Sequence, residues 1–309
     1  MTRVEPGSGS LMHMNGLLVI DKPGGMTSRD AVNRVQGLFP RKTKIGHTGT
    51  LDPLATGVLV VCIGAATRLA DYVQAMGKSY ASRFRLGARS DTDDADGVVS
   101  EVATAPGPTR EQIDAALATF VGTIEQTPPA VSALKVGGRR AHDLVRKGAH
   151  VALAARTVRI DALRVTGYAW PFLDVEVECG KGTYIRSIAR DLGHALGCGG
   201  LVHTLRRTRV GPFTAEQGYA PDVDPSSVKL LPMETVLAGM EQVRADAADA
   251  RRLRQGQWVS FTSASGGRQP AEATEVCVLD EKGELIGIGA VERGLIKPQI
   301  MFATGDRPA

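Results

Sequence analysis

The densest grouping of reactive side chains lies in Lys44-Ile45-Gly46-His47-Thr48-Gly49-Thr50-Leu51-Asp52-Pro53-Leu54-Ala55-Thr56-Gly57. This is a glycine-punctuated loop that delivers the chain to an apolar run. Asp52 precedes Pro53, so its backbone is biased toward extended conformations and the next residue has no N–H to give. Taken alone, an Asp-Pro pair reads as a turn between two elements. Here the imidazole of His47 stands five residues earlier, basic residues lie just upstream, and the small residues between allow close backbone approach. That setting suits a carboxylate working beside a negatively charged ligand. A second run, Gly180-Lys181-Gly182-Thr183-Tyr184-Ile185-Arg186-Ser187-Ile188-Ala189-Arg190-Asp191-Leu192-Gly193, follows an alternating apolar stretch that ends at Cys179. Its glycines turn the chain, Thr183 is placed to cap a helix, and Tyr184 and Arg186 fall in the first turn. Without partners these two would be a half-buried tyrosine and a surface arginine.

The elements that must position these groups follow from periodicity. Gly16 to Asp21 reads as a short buried strand stopped by Lys22-Pro23-Gly24-Gly25. Thr27-Ser28-Arg29-Asp30 has the form of a capping box, opening a helix with Val32, Val35 and Leu38 on one face. Val58 to Ile63 reads as a strand, Leu69, Val73 and Met76 as a helix face, and Tyr80 to Leu86 as a half-buried strand. Thr109 caps a helix through Ile113, Leu117 and Phe120; Thr157 to Val165 and Phe172 to Cys179 read as strands and Tyr184 to Leu196 as a helix. The elements lack regular strand-helix alternation, which favours an α+β fold on a mainly antiparallel sheet. From about Ala245 the chain shifts to short β-like pieces at Trp258–Phe261, Val276–Leu279 and Leu285–Ile288, a small β-rich C-terminal domain. The expected division is a disordered tail over residues 1–15, a catalytic domain over 16–240 and the small domain over 245–303.

Composition removes several classes of function. Of 309 residues 43% are hydrophobic and 23% charged, the profile of a soluble globular chain. The longest apolar stretch, Gly57 to Ile63, is far short of the ~20 residues that span a bilayer, and no secretory signal is visible. Cys62, Cys179, Cys198 and Cys277 are scattered, with neither zinc spacing nor a disulfide framework, so a reducing, cytoplasmic location and no metal are expected. Gly77-Lys78-Ser79 mimics the end of a phosphate loop, but Tyr72 stands where that motif needs its first glycine. Asp91 to Gly97 mimics a calcium loop, but Thr92 and Ala103 fall at its first and last ligand positions; an acidic turn bonding its own backbone fits better. Net charge is +4, and basic residues bunch at Arg41–Lys44, Arg139–Lys147, Arg206–Arg209 and Arg251–Arg254. Any one cluster reads as a solvated face; four together make nucleic acid a candidate partner.

The two reactive runs, with Gly16 to Ser28 and Leu205-Arg206-Arg207-Thr208, resemble the TruB family of tRNA pseudouridine synthases, in order, from about Gly16 to Phe213. The likeness includes Gly77-Lys78-Ser79-Tyr80 and the loop from Pro128 to Lys135, with a departure at Val131, where relatives often carry an aromatic. Leu253 to Val259 looks like the start of the RNA-binding PUA domain of that family. The resemblance implies a pseudouridine synthase fold, a flipped uridine of the tRNA TΨC loop (uridine 55) as substrate, and an isomerisation without cofactor or metal. It implies Asp52 as the catalytic carboxylate, acting on the ribose or on C6 of the base, with Arg186 paired to it. Tyr80 would stack on the uracil and take the C5 proton. Tyr184 and Leu205 would line the pocket, His47 would fill the space left in the RNA loop, and Lys22, Arg206 and Arg207 would serve substrate binding. The expected protein is a monomer that binds the tRNA T-arm stem-loop. Two other readings remain open: a non-catalytic RNA-binding protein on the same scaffold, and a metal-dependent RNA hydrolase using Asp91, Asp93, Asp94 and Asp96.

Overall fold

The computed structural model describes residues 15–103, 106–132, 134–136, 139–140, 153–260 and 270–303. The chain opens with β1 (Gly16–Lys22), α1 (Ser28–Gln36), β2 (Ile45–His47) and β3 (Thr56–Ile63). A 3₁₀ turn (Gly64–Leu69) runs into α2 (Ala70–Ala75), followed by β4 (Lys78–Leu86), β5 (Ala88–Ser90), β6 (Val99–Glu101) and α3 (Arg110–Ala118). Then come β7 (Gly122–Gln126), β8 (Lys135–Val136), β9 (Arg139–Arg140), β10 (Arg156–Ala169), β11 (Phe172–Cys179) and α4 (Ile185–Ala195). β12 (Gly200–Val210) and β13 (Phe213–Thr214) complete the large unit. The C-terminal unit has β14 (Glu241–Arg244), α5 (Ala247–Arg254), β15 (Val259–Ser260), β16 (Glu275–Leu279), β17 (Leu285–Glu292) and β18 (Leu295–Met301).

The large sheet runs β1-β3-β12-β4-β11-β10-β7, with β2 also on β3 and β13 on β12. Every pairing in it is antiparallel except the short join of β3 to β12 at Thr56–Arg206 and Gly57–Arg207. The fold is the expected α+β arrangement on a mainly antiparallel mixed sheet. Alternation along β1 shows how the sheet is buried on both faces. Leu18 and Ile20 join a core with Val32 and Val35 of α1, Ile113 of α3, and Ile188 and Leu192 of α4. Leu17 and Val19 point the other way, into a cluster with Val58, Val60 and Phe213 and with Cys277, Leu279, Ile288 and Phe302 of the C-terminal unit. One apolar core therefore crosses from the large unit into the small one.

Local signals behave as their chemistry dictates. The Thr27 box forms: the Thr27 hydroxyl accepts from the Asp30 N–H at 3.1 Å, and the Asp30 carboxylate accepts from the Thr27 N–H at 3.1 Å. A second box joins Thr109 and Gln112. Thr183 does not cap α4; the cap position is Tyr184, while the Thr183 hydroxyl donates to Gly180 O at 3.2 Å. Of the expected tail over residues 1–15, residues 1–14 lie outside the described residues and Asn15 does not behave as tail. It is buried, and its Oδ1 accepts from the Ala65 N–H at 2.6 Å. β14 lies across the expected boundary and pairs in parallel with β16, a strand too polar (Glu-Gln-Val-Arg, only Val243 buried) to read from pattern. All four cysteines are buried, free thiols. No described helix is long and apolar enough to cross a membrane.

Candidate active site

Asp52 is held by its neighbours on either side. The buried Ser28 hydroxyl, on the first residue of α1, donates to Leu51 O at 3.0 Å and accepts from the Leu51 N–H at 2.8 Å. On the other flank Pro53 O accepts from the Gly25 N–H at 2.9 Å and from Lys22 Nζ at 3.4 Å. The Ala55 N–H donates to Asp52 O at 3.1 Å, so an Asp-Pro turn is present and its side chain is free for other work. Two pinned peptides leave the carboxylate little room to move.

Arg186 meets it from α4. The helix buries the face that carries Ile185, Arg186, Ser187, Ile188, Ala189, Leu192 and Gly193, which drives the arginine inward. Its Nε lies 2.9 Å from an Asp52 oxygen, with the Arg186 side chain 4% exposed and that of Asp52 34% exposed. The rest of the guanidinium donates to Thr92 O at 2.7 Å and Val131 O at 2.9 Å and faces the Asp94 carboxylate at 3.5 Å. Removal from water pushes the Asp52 carboxyl above its ordinary value; Arg186 pulls it back, Asp94 adds to the rise, and Lys22 opposes it.

A cavity of about 280 Å³ opens beside this pair, lined among others by Asp52, Tyr80, Tyr184, Arg186, Leu205 and Arg207. Tyr80 enters from β4; burial pushes its phenol up and the adjacent Arg207 guanidinium works against that. Tyr184 is fixed by Gln126, whose side chain accepts from the Tyr184 N–H at 2.8 Å and donates to Tyr184 O at 3.1 Å. Arg207 is 3% exposed and donates to Val58 O at 2.7 Å and Gly49 O at 3.0 Å. Six of the nine residues singled out from sequence thus share one cavity.

The other three are elsewhere. Lys22 is fully buried behind the Asp52 loop, where Nζ donates to Pro23 O at 2.8 Å and Met26 O at 2.7 Å; burial lowers its pKa to about 8. Arg206 points away from the cavity, because neighbours on a strand alternate faces. It makes a bidentate pair with Asp21 at 2.9 and 2.8 Å. His47 lies on β2 outside the cavity wall, its Nδ1 accepting from the Gly49 N–H at 3.4 Å. Sequence reasoning missed Lys78, Lys181, Gln74 and Ser132, which also line the cavity, and Gln126, which holds Tyr184. Asp94, named from sequence only within its turn and as a candidate metal ligand, stands instead beside Arg186 at 3.5 Å. The departure at Val131 is harmless to Arg186, which uses that residue's carbonyl. The acidic turn does bond its own backbone: Asp91 Oδ1 accepts from the Val98 N–H at 2.8 Å and Asp94 Oδ1 from the Asp96 N–H at 3.2 Å. Among the described residues no group of three or more His, Cys, Asp or Glu is placed to hold a metal ion. Most of the basic cluster Arg139–Lys147 lies outside the described residues.

The fold matches the crystal structure of a Cbf5–Nop10–Gar1 complex at a TM-score of 0.70 and 25% identity, covering 95% of this chain and 87% of that one. It also matches the structure of an H/ACA RNP bound to a substrate RNA containing 2′-deoxyuridine, at a TM-score of 0.69, 22% identity and coverages of 95% and 87%. Family models name the relation more closely. Residues 37–185 match "TruB family pseudouridylate synthase (N terminal domain)", residues 186–224 "tRNA pseudouridylate synthase B C-terminal domain" and residues 242–302 "Pseudouridine synthase II TruB, C-terminal". The chain is 43% identical over 257 residues to tRNA pseudouridine synthase B of Chromohalobacter salexigens, covering 81% of this chain and 83% of the relative. It is 39% identical over 298 residues to the protein of that name from Burkholderia mallei, with coverages of 94% and 98%. The chain belongs to the TruB family of pseudouridine synthases and is an isomerase.

Proposed function

We propose that this enzyme converts uridine 55 in the TΨC loop of tRNA to pseudouridine, with Asp52 as the catalytic carboxylate. The observation that carries the reading is the Asp52–Arg186 ion pair at 2.9 Å on the wall of a cavity shared with Tyr80, Tyr184 and Leu205. At about 280 Å³ the cavity is near the lower end of small-ligand sites, the scale of one nucleoside rather than of a strand. A base must therefore leave its stack to enter, at a cost of a few kcal/mol that contacts to the RNA repay.

The reaction breaks the N1–C1′ bond, turns the uracil and joins C1′ to C5. C5 loses a proton and N1 gains one, so the balance calls for no redox equivalent and no nucleotide energy. Asp52 engages the ribose or C6 of the base, and either route needs the carboxylate ionised. Arg186 meets that need against the burial that favours the acid form. Tyr80 stacks on the uracil and takes the C5 proton late in the reaction, a role for which Arg207 works against the burial that favours the neutral phenol. Leu205 and Tyr184 give the ring its apolar walls. Lys22 and Arg206 act indirectly, by holding the Asp52 loop and by tying β12 to Asp21 of β1, and His47 packs against the RNA loop that the base has left. Arg41, Lys42 and Lys44 are exposed and attract the phosphate backbone, so binding weakens as salt rises. The enzyme works as a monomer on the T-arm.

The test is tritium release from a tRNA transcript labelled at uridine C5, with EDTA and without cofactor. Wild type should release label and Asp52→Asn none. Equal release by both would remove Asp52 from the catalytic role, and tight salt-dependent binding without release from any tRNA would replace this reading with that of an RNA-binding protein.

A further inference from the structure

Arg186 and Arg190 stand one turn apart on the same face of α4. Arg186 grips two loops, through Thr92 O and Val131 O. Arg190 grips the same two, one step further from the cavity. Its guanidinium donates to the Asp93 carboxylate at 2.9 Å and to Thr127 O at 2.8 Å, and its Nε to Asp191 at 2.8 Å. The Ser187 hydroxyl donates to that same Thr127 carbonyl at 2.8 Å.

Asp93 is where the acidic loop turns. Its φ of +60° lies in the left-handed region that side chains other than glycine avoid. The turn sets Thr92 O and the Asp94 carboxylate on one side, toward Arg186, and the Asp93 carboxylate on the other, toward Arg190. The loop is tied to β12 as well, the Val202 N–H donating to Asp93 O at 3.0 Å and the Ala95 N–H to Val202 O at 2.9 Å. Those bonds fix where the loop lies. The Asp93 side chain itself is held by the Arg190 guanidinium.

We infer that Arg190 is a positioning residue for the isomerisation: by pairing with Asp93 and Thr127 O it holds the left-handed turn and the Thr127–Val131 loop in the geometry that aims Arg186 at Asp52. It does not line the cavity. The inference rests on the function proposed above, and it makes the catalytic pair depend on a residue one helical turn away.

The experiment is single-turnover tritium release from C5-labelled tRNA, with tRNA Kd and Tm measured beside it, for wild type, Arg190→Gln and Asp93→Asn. Both variants should lose about tenfold in rate at saturating tRNA, the scale of a slightly misplaced catalytic group, with Kd unchanged. Adding Asp93→Gly to Arg190→Gln should recover about threefold or more, because glycine adopts φ +60° without a partner, whereas adding Asp93→Ala should not. Rates within twofold of wild type, a loss confined to Kd, or equal effects of glycine and alanine would overturn the inference. If Arg190→Gln does not fold, Asp93→Asn and the Asp93→Gly and Asp93→Ala pair decide it on the wild-type helix. Release by wild type together with an active Arg190→Gln defeats this inference alone; no release by wild type defeats the proposed reaction and this inference with it.

Discussion

Replacing Arg186 by glutamine removes the group that balances charge in the cavity. Its guanidinium faces Asp52 at 2.9 Å and Asp94 at 3.5 Å and donates to the Thr92 and Val131 carbonyls at 2.7 and 2.9 Å. A glutamine is shorter, neutral and unable to reach all four. Breaking a buried ion pair from one side costs roughly 3–5 kcal/mol. Asp52 is 34% exposed and regains water, so the lower end, about 3 kcal/mol, is expected. At roughly 2 °C per kcal/mol for a chain of this length, Tm falls by about 6 °C. Chemistry suffers more, because displacing a reacting group by about an ångström costs about 10²-fold in rate. The pH profile identifies the cause. Burial and Asp94 push the Asp52 carboxyl up and Arg186 pulls it down. Without Arg186 the upward influences prevail, so the acid limb of the rate moves to higher pH and alkali restores more of the variant's rate than of the wild type's. Single-turnover tritium release from about pH 5 to 9, with thermal melts alongside, measures both effects. A limb left in place, with the same fractional loss at every pH, would refute the electrostatic account of this pair.

Three further outcomes follow from the same geometry. In Gly57→Ala a Cβ at φ +97° would stand 2.1 Å from Arg207 O, so the join of β3 to β12 must open. Left-handed strain and overpacking together cost about 2–5 kcal/mol, and a melt unchanged from wild type would contradict this. Lys22 and Lys78 each have a pKa lowered to about 8 from 10.5. Between those values the unfolded chain holds protons that the folded one has released, so their contribution to stability rises with pH across that window. Lys22→Met should show a shallower rise than wild type in urea midpoints taken at about pH 8 and 10, and parallel slopes would count against it. Finally, deleting residues 241–309 strips Cys277, Leu279, Ile288 and Phe302 from the core they share with Leu17, Val19 and Phe213. The shortened chain should bind a hydrophobic dye and elute as aggregates, and a monodisperse product with wild-type Tm would show that the two units are independent.

How much of this was legible depends on the distance over which a signal acts. Strands, capping boxes and the Asp52 turn are written in neighbouring residues, and they emerge where pattern places them. α4 was found because its start and its apolar face are local features; its cap was misassigned because Thr183 turns back to Gly180 O instead. Arg206 and Arg207 look alike in sequence, yet strand alternation sends one to Asp21 and the other into the cavity wall. Asp94 was read within its own turn, correctly as far as it goes. Its partner lies on α4, and only the pairing of β4 with β12 and the packing of α4 on that sheet bring the two together. β14 escaped notice because a single buried valine is too little pattern to mark a strand.

The site combines two demands that oppose each other. A uridine must be enclosed, which means excluding water, and the group that acts on it must stay charged, which means supplying a counter-charge where water no longer can. Arg186 answers the second demand, but a guanidinium buried to 4% exposure creates the same difficulty for itself. Its terminal nitrogens donate to two backbone carbonyls from loops about 40 residues apart, and a second carboxylate faces it. Backbone bonds to β12 place the acidic loop, and beyond them both loops are held, at the Asp93 carboxylate and at Thr127 O, by an arginine that is 29% exposed and so carries a smaller penalty of burial. The charge needed at Asp52 is thus sustained by contacts that grow more hydrated with distance from the cavity, which is why Arg190 should govern rate rather than binding.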